Sequence, residues 1–204
     1  MKNTQTFAIV ILLLFSHFQS IALGQNRIQS LFGGNGGENH LGFMVSASLA
    51  STKLDGGSAS LFHVTSGIVL NDAITLGAFY SQPLNDIQNT GRPITGYYLD
   101  YWSAGGLVEF TLSAHRVIHL TFPLHFGVGE VEWDNDFVDL NHEETHFLVF
   151  EPSARLEVNL HDYARMSFGL GYRYISNLSN RNFFEPEDLE GLTGFIGLKI
   201  GLFR

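Results

Sequence analysis

From Gly194 to the end of the chain, apolar and small or charged residues alternate with a period of two. Ile196, Leu198, Ile200 and Leu202 fall on one face, Gly197, Lys199 and Gly201 on the other, and Phe203 sits at the tip. That period belongs to a half-buried strand. The same pattern recurs seven times upstream. The longest run sets Ile118, Leu120, Phe122, Leu124, Phe126 and Val128 against His119, Thr121, Pro123, His125, Gly127 and Gly129. A helix would scatter both sets round its circumference. Eight strands are predicted, over about 40–52, 59–70, 73–82, 96–112, 118–129, 146–160, 163–175 and 191–204. The connections after the second, fourth and sixth are tight turns, Asn71-Asp72, 113–116 and His161-Asp162. Those after the third, fifth and seventh are long and polar, and 130–145 holds seven acids with no Lys or Arg. An even strand number with short turns on one side and longer loops on the other is the layout of a transmembrane β-barrel. The predicted fold class is therefore all-β, an eight-stranded antiparallel up-and-down transmembrane barrel over 40–204.

The cost of burying charge decides which face meets lipid. The polar faces carry Glu109, Glu151, Arg155, Glu157, Arg165, Arg173 and Lys199. An Arg or Lys facing mid-bilayer costs ~2–4 kcal/mol. Turned inward, these charges can pair, and an eight-stranded barrel is only wide enough for side chains to fill it. The expected lumen is a structural network of ion pairs and small residues: Glu151 with Arg155, Glu157 with Arg165 or Arg173, and Lys199 with Glu109, Glu151 or Glu157. Tyr80, Tyr97, Tyr98, Tyr101, Trp102, Trp133, Tyr172 and Tyr174 collect at the loop-side strand ends. Of these, Tyr80, Tyr98, Trp102, Tyr172 and Tyr174 are the candidate girdle at headgroup level. Pro123 and Pro152 fall mid-strand, where a closed barrel cannot hide a missing N–H, so a bulge or local widening is expected at each.

Composition narrows the setting. Lys2 followed by the apolar run Phe7–Phe15 and the small-x-small site Ala22-Leu23-Gly24 reads as a cleaved secretory leader over 1–24. Nine apolar residues are too few to span a bilayer, which takes roughly 20. A Gly/Asn-rich lead-in follows over 25–39. The chain has no cysteine, hence no disulfide framework and no thiolate metal site. Past the leader, 10 basic residues face 20 acidic ones, which argues against nucleic-acid binding.

The layout from about His40 to Arg204 resembles the small eight-stranded outer-membrane proteins of the OmpA/OmpX barrel type. The resemblance implies an outer-membrane location, a monomer, contact with outer-membrane lipid and lipopolysaccharide, and assembly by the barrel-assembly machinery. In such proteins that machinery reads the terminal strand, which usually ends in Phe. Phe203 is the candidate here, with Arg204 after it.

Candidate chemistry is sparse. His142-Glu-Glu-Thr-His146 matches the H-E-x-x-H spacing of zinc proteases, but that chemistry needs both histidines on one helical face. At a strand edge positions i and i+4 lie about 13 Å apart. Loop-edge residues are the expected reading. The acidic loop 130–145 is a candidate for a divalent cation with oxygen ligands, although it lacks EF-hand spacing. His63, His119 and His125 are expected as satisfied lumen histidines. No catalytic residue, cofactor or dedicated metal site is assigned. The expected function is a structural or surface-interaction role for a barrel with a filled lumen and acidic outer loops. The alternatives are a soluble periplasmic lipocalin-like barrel turned inside out around an apolar ligand, and an outer-leaflet lipid-modifying enzyme, which would need an outward His–Ser pair.

Overall fold

The computed structural model describes residues 41–87, 97–135, 144–179 and 184–203. The leader, the lead-in, His142 and Arg204 lie outside them. Eight strands form a single closed antiparallel barrel in chain order. They are β1 (Leu41–Leu54), β2 (Gly57–Leu70), β3 (Ile74–Pro83), β4 (Tyr97–Leu112), β5 (Ile118–Asn135), β6 (Thr145–His161), β7 (Ala164–Ser176) and β8 (Gly191–Gly201). One short helix, α1 (Pro186–Leu189), lies in the connection between β7 and β8. β8 closes on β1 through eight pairs from Met44↔Gly201 to Ser51↔Gly194.

The registers set the girth. Paired positions run from Leu41 to Leu70, Ile74, Phe110 and Phe122. Across β6 and β7 they continue through Ala154, Leu170 and Gly194 to Ser51. The path thus regains β1 ten residues beyond its start. Such a stagger over eight strands tilts them by about 45° and leaves an interior that side chains can fill.

Local residue choice explains the turns. Asp55 and Gly56 both have positive φ, 46° and 75°, the paired left-handed geometry of a type I′ hairpin. The first outer hairpin is therefore only two residues long. Asn71 and Asp72 take φ 52° and 54° between β2 and β3, a conformation their short polar side chains tolerate. The acidic connection is shorter than the sequence pattern predicts, because β5 runs on through Glu130 to Asn135.

The two prolines open the wall without shifting it. Pairing of β5 with β6 skips from Thr121↔Arg155 to Leu124↔Pro152 in constant register. Pairing of β6 with β7 likewise skips from Phe150↔Tyr174 to Ser153↔Gly171. Of the two outcomes expected, a bulge or a local widening, no bulge forms at either site; each ladder loses two pairs in constant register, since a ring nitrogen removes a ladder bond but adds no residue. The Ser153 hydroxyl donates to the Pro123 carbonyl across the gap (3.3 Å). The register shift between Asn159 and His161 lies at the turn end instead.

The faces separate by charge. Ile196, Leu198 and Ile200 are 54, 45 and 57% exposed on the outside, while Lys199 between them is 4% exposed inside. The wall thus shows its apolar residues outward, and an inside-out barrel around an apolar ligand is not the one that forms.

Candidate functional site

Alternation places every charged side chain predicted for the lumen inside it: Glu109, Glu151, Arg155, Glu157, Arg165, Arg173 and Lys199 are all buried. The interior is layered along the barrel axis. At the turn end Met44, Val69, Leu107 and Phe203 form an apolar floor. The Arg165 guanidinium lies over the Phe203 ring at 3.7 Å, a cation–π contact that joins the floor to the charged layer.

Glu157 is the hub of that layer. Lys199 Nζ is 2.5 Å from its Oε1 and 2.6 Å from Glu109 Oε1. His119 Nε2 lies 3.2 Å from Glu157 Oε2, and Arg165 lies 3.9 Å from the same oxygen and 3.8 Å from Asp72. Five strands, β4 to β8, and the β2–β3 turn supply this cluster, because their inward side chains meet across a narrow lumen. The isolation of any one of these charges would be costly, and pairing with hydrogen bonds is what makes their burial tolerable.

Three expected pairings differ. Glu151 accepts from the Thr193 hydroxyl (2.8 Å) and pairs with neither Lys199 nor Arg155. Arg155 donates to Ser153 Oγ (3.3 Å) and lies over the Phe195 ring at 4.0 Å. Among the described residues it has no carboxylate oxygen within 4.0 Å. Arg173 stands at the other end of the barrel from Glu157. Its Nε donates to the Leu189 carbonyl (2.8 Å), and its Nη2 donates to the Lys53 carbonyl (3.1 Å) and Thr52 Oγ1 (3.3 Å). Pairing choices between strands depend on height along the axis, which alternation alone does not give.

Arg173 therefore works as a clamp. It holds the C-terminal carbonyl of α1 against the outer end of β1, where a cation also suits the helix dipole. The Asp55 amide donates to the Asp188 carbonyl (2.6 Å), and Glu190 accepts from the Ile175 amide (3.0 Å), so α1 is tied down on two further sides.

Above the charges the lumen turns apolar, which the alternation did not predict. Leu54, Leu61, Phe79, Ile87, Leu99, Tyr101, Val131, Phe147, Val149, Ile175, Phe184, Leu189 and Phe195 form one buried cluster. Trp133 packs against it and stacks on Phe184 (6.1 Å). Tyr101 and Trp133 thus belong to this plug and not to the girdle. A signal was present in the chain: Ala78-Phe79-Tyr80, Phe147–Phe150 and Phe195-Ile196 break the alternation with adjacent apolar residues. Such runs mark places where both faces of a strand are dry. Between plug and charges, His63 Nε2 and His125 Nε2 meet at 3.3 Å, packed against Phe79.

On the outside, Tyr80, Tyr172 and Tyr174 are exposed near the loop end, and Tyr98 and Trp102 are half-buried there. Level with Tyr98 and Trp102 the rim is acidic: Asp100 lies between them in β4, Glu132 pairs with Asp100, Glu130 with Trp102, and Glu144 precedes β6. Cross-strand pairing sets His146 opposite Glu130, with Nδ1 3.2 Å from its carboxylate. Ligand atoms of Glu130, Glu144 and His146 lie within 4.8 Å of one another, a donor set able to take a divalent cation. The helical geometry of a zinc protease is not present, since His146 lies in β6. Ser179 Oγ accepts from the His146 backbone amide (2.9 Å). No hydrogen bond joins Ser179 Oγ to the His146 imidazole.

No protein-family model matches the chain, and no curated protein matches it. Solved structures do. Neisserial surface protein A (NspA) aligns over 80% of this chain and 99% of its own, with TM-score 0.57 and 12% identity. Ail, the attachment invasion locus protein of Yersinia pestis, aligns over 81% of this chain and 99% of its own, with TM-score 0.50 and 14% identity. At these identities the likeness is one of architecture. Together with the closed barrel, the outward apolar belt and the filled lumen, it gives this chain the fold of the small eight-stranded outer-membrane barrels of the OmpA/OmpX type.

Proposed function

We propose that the protein is a monomeric outer-membrane barrel with a structural or surface-interaction role, closed to solutes and presenting an acidic outer rim. The observation that carries this reading is the contrast between faces. The belt is apolar outside, while Glu157, Arg165, Arg173 and Lys199 inside are at most 4% exposed. A water-filled channel would wet those charges. The α1 segment, clamped by Arg173, packs Leu189 and the preceding Phe184 into the apolar cluster at the outer end.

The rim defines the partner chemistry. Ail has been crystallised with the heparin analogue sucrose octasulfate. Here the described rim is dominated by carboxylates, so the expected contacts are cationic groups and the divalent ions that bridge lipopolysaccharide phosphates, not sulfated polyanions. Phe203, buried beneath Arg165 two residues past β8, is the residue that the assembly machinery would read.

Cell fractionation with migration on a denaturing gel, unheated and boiled, tests the location. The expected result is an outer-membrane protein with a compact unheated form. Recovery from the soluble periplasm with no heat-dependent shift would refute it. Planar-bilayer recordings should show no stable conductance; a steady ion current would refute the closed lumen.

A further inference from the structure

One apolar groove of about 640 Å³ lies on the wall where β7, β8, β1 and β2 meet. Its floor is a row of paired outward positions, Gly194, Ser51 and Ser60, with Ser51 paired to both of the others. Leu170 and Ile196 flank the lower end and Leu84 the upper. Because the strands tilt, a row crossing them also climbs, by roughly 13 Å from Leu170 to Leu84. The groove therefore runs obliquely from the middle of the apolar belt to the outer rim. There Asn85 fixes its mouth by accepting from the Ser60 amide (2.7 Å) and donating to the Ser58 carbonyl (3.1 Å).

Two observations bear on what fits. Gly194 is not demanded by wall packing: a Cβ there would meet Leu170 Cδ2 at 3.8 Å and the Ser51 carbonyl at 3.9 Å, ordinary contacts. By contrast, a Cβ at Gly127 would come within 2.8 Å of the Gly105 Cα. The hollow is thus room left for something other than this chain. The second observation is Lys53, exposed on the same face of β1 two positions above Ser51. Its backbone carbonyl is held by Arg173 (3.1 Å), which fixes the backbone of this cationic residue beside the mouth of the groove, on a rim otherwise dominated by acids.

We infer that this groove seats one acyl chain of a phosphate-bearing lipid of the outer leaflet, with the phosphate at Lys53. The inference rests on the outer-membrane reading. Hydrocarbon is the solvent along the belt, and a chain lying in the hollow fills space that bulk lipid must otherwise leave or cross. The ammonium supplies the preference for an anionic head.

The test is native mass spectrometry of the barrel released from nanodiscs containing lipid A, or lipid A stripped of its phosphates. The wild type should retain one phosphorylated lipid A. Lys53→Gln should lower that retention about fivefold, the effect of one basic residue at an anionic surface. Gly194→Leu, which fills the hollow, should abolish it while the heat-dependent gel shift persists. Equal retention of the dephosphorylated form would overturn the inference. So would retention unchanged in both variants, or a dimer lost on Gly194→Leu in place of a lipid. A wild type that fails to enter nanodiscs, or shows no compact unheated form, would instead refute the outer-membrane reading itself.

Discussion

Replacing Lys199 with Met tests the charged layer at its centre. Its ammonium lies 2.6 Å from Glu109 and 2.5 Å from Glu157, and all three side chains are at most 5% exposed. Met keeps the length of the side chain and removes the charge. Glu157 then retains His119 at 3.2 Å and Arg165 at 3.9 Å. Glu109 retains no ion-pair partner within 4.0 Å among the described residues. A buried charge stranded in this way costs about 3–5 kcal/mol. The double variant Lys199→Met/Glu109→Leu should recover most of the loss, since an apolar replacement of a buried ion pair is close to neutral. Urea titration of the barrel in phospholipid vesicles, followed by the fraction running as the compact unheated band, measures both. A single-variant loss below about 1 kcal/mol, or a double variant no more stable than Lys199→Met, would refute the claim that these partners hold each other in the lumen.

Depth along the wall should show in Leu198→Arg and Leu192→Arg: the first, near mid-belt, should lose ~2–4 kcal/mol in the same titration and the second at most ~1 kcal/mol. Similar losses at the two positions would contradict the assigned belt. Gly127→Val should give no compact unheated form, because its Cβ meets the backbone of β4 at Gly105, whereas Gly194→Ala should fold normally. Arg173→Met removes three hydrogen bonds holding α1 and the end of β1. Hydrogen bonds to charged groups are worth about 1.5–3 kcal/mol each, so amide exchange at Ile175 and Glu190 should quicken by at least tenfold while the turn-end strands keep their protection. Unchanged exchange there would show that α1 is held by packing alone.

The strands and their facing were legible in the residues alone. Period-two alternation ties each residue's side of the wall to its parity, and the cost of a charge in lipid orients the parity, so Lys199 and Glu157 had to point inward whatever the register. Turn chemistry was equally local: Asp55-Gly56 and Asn71-Asp72 carry the left-handed propensity their hairpins use. What meets across the lumen follows from the assembled barrel. Partners there come from strands far apart in sequence, and their heights follow from the stagger of ten residues round the barrel, a sum of eight registers that no single strand encodes. That is why Lys199 finds Glu109 and Glu157 and not Glu151, and why Arg173 clamps a helix in place of a carboxylate. It is also why Phe79, Tyr101, Phe147 and Phe195 converge as a plug. The groove over Gly194 has the same origin: three small residues, each unremarkable in its own strand, become one hollow when pairing sets them in a row.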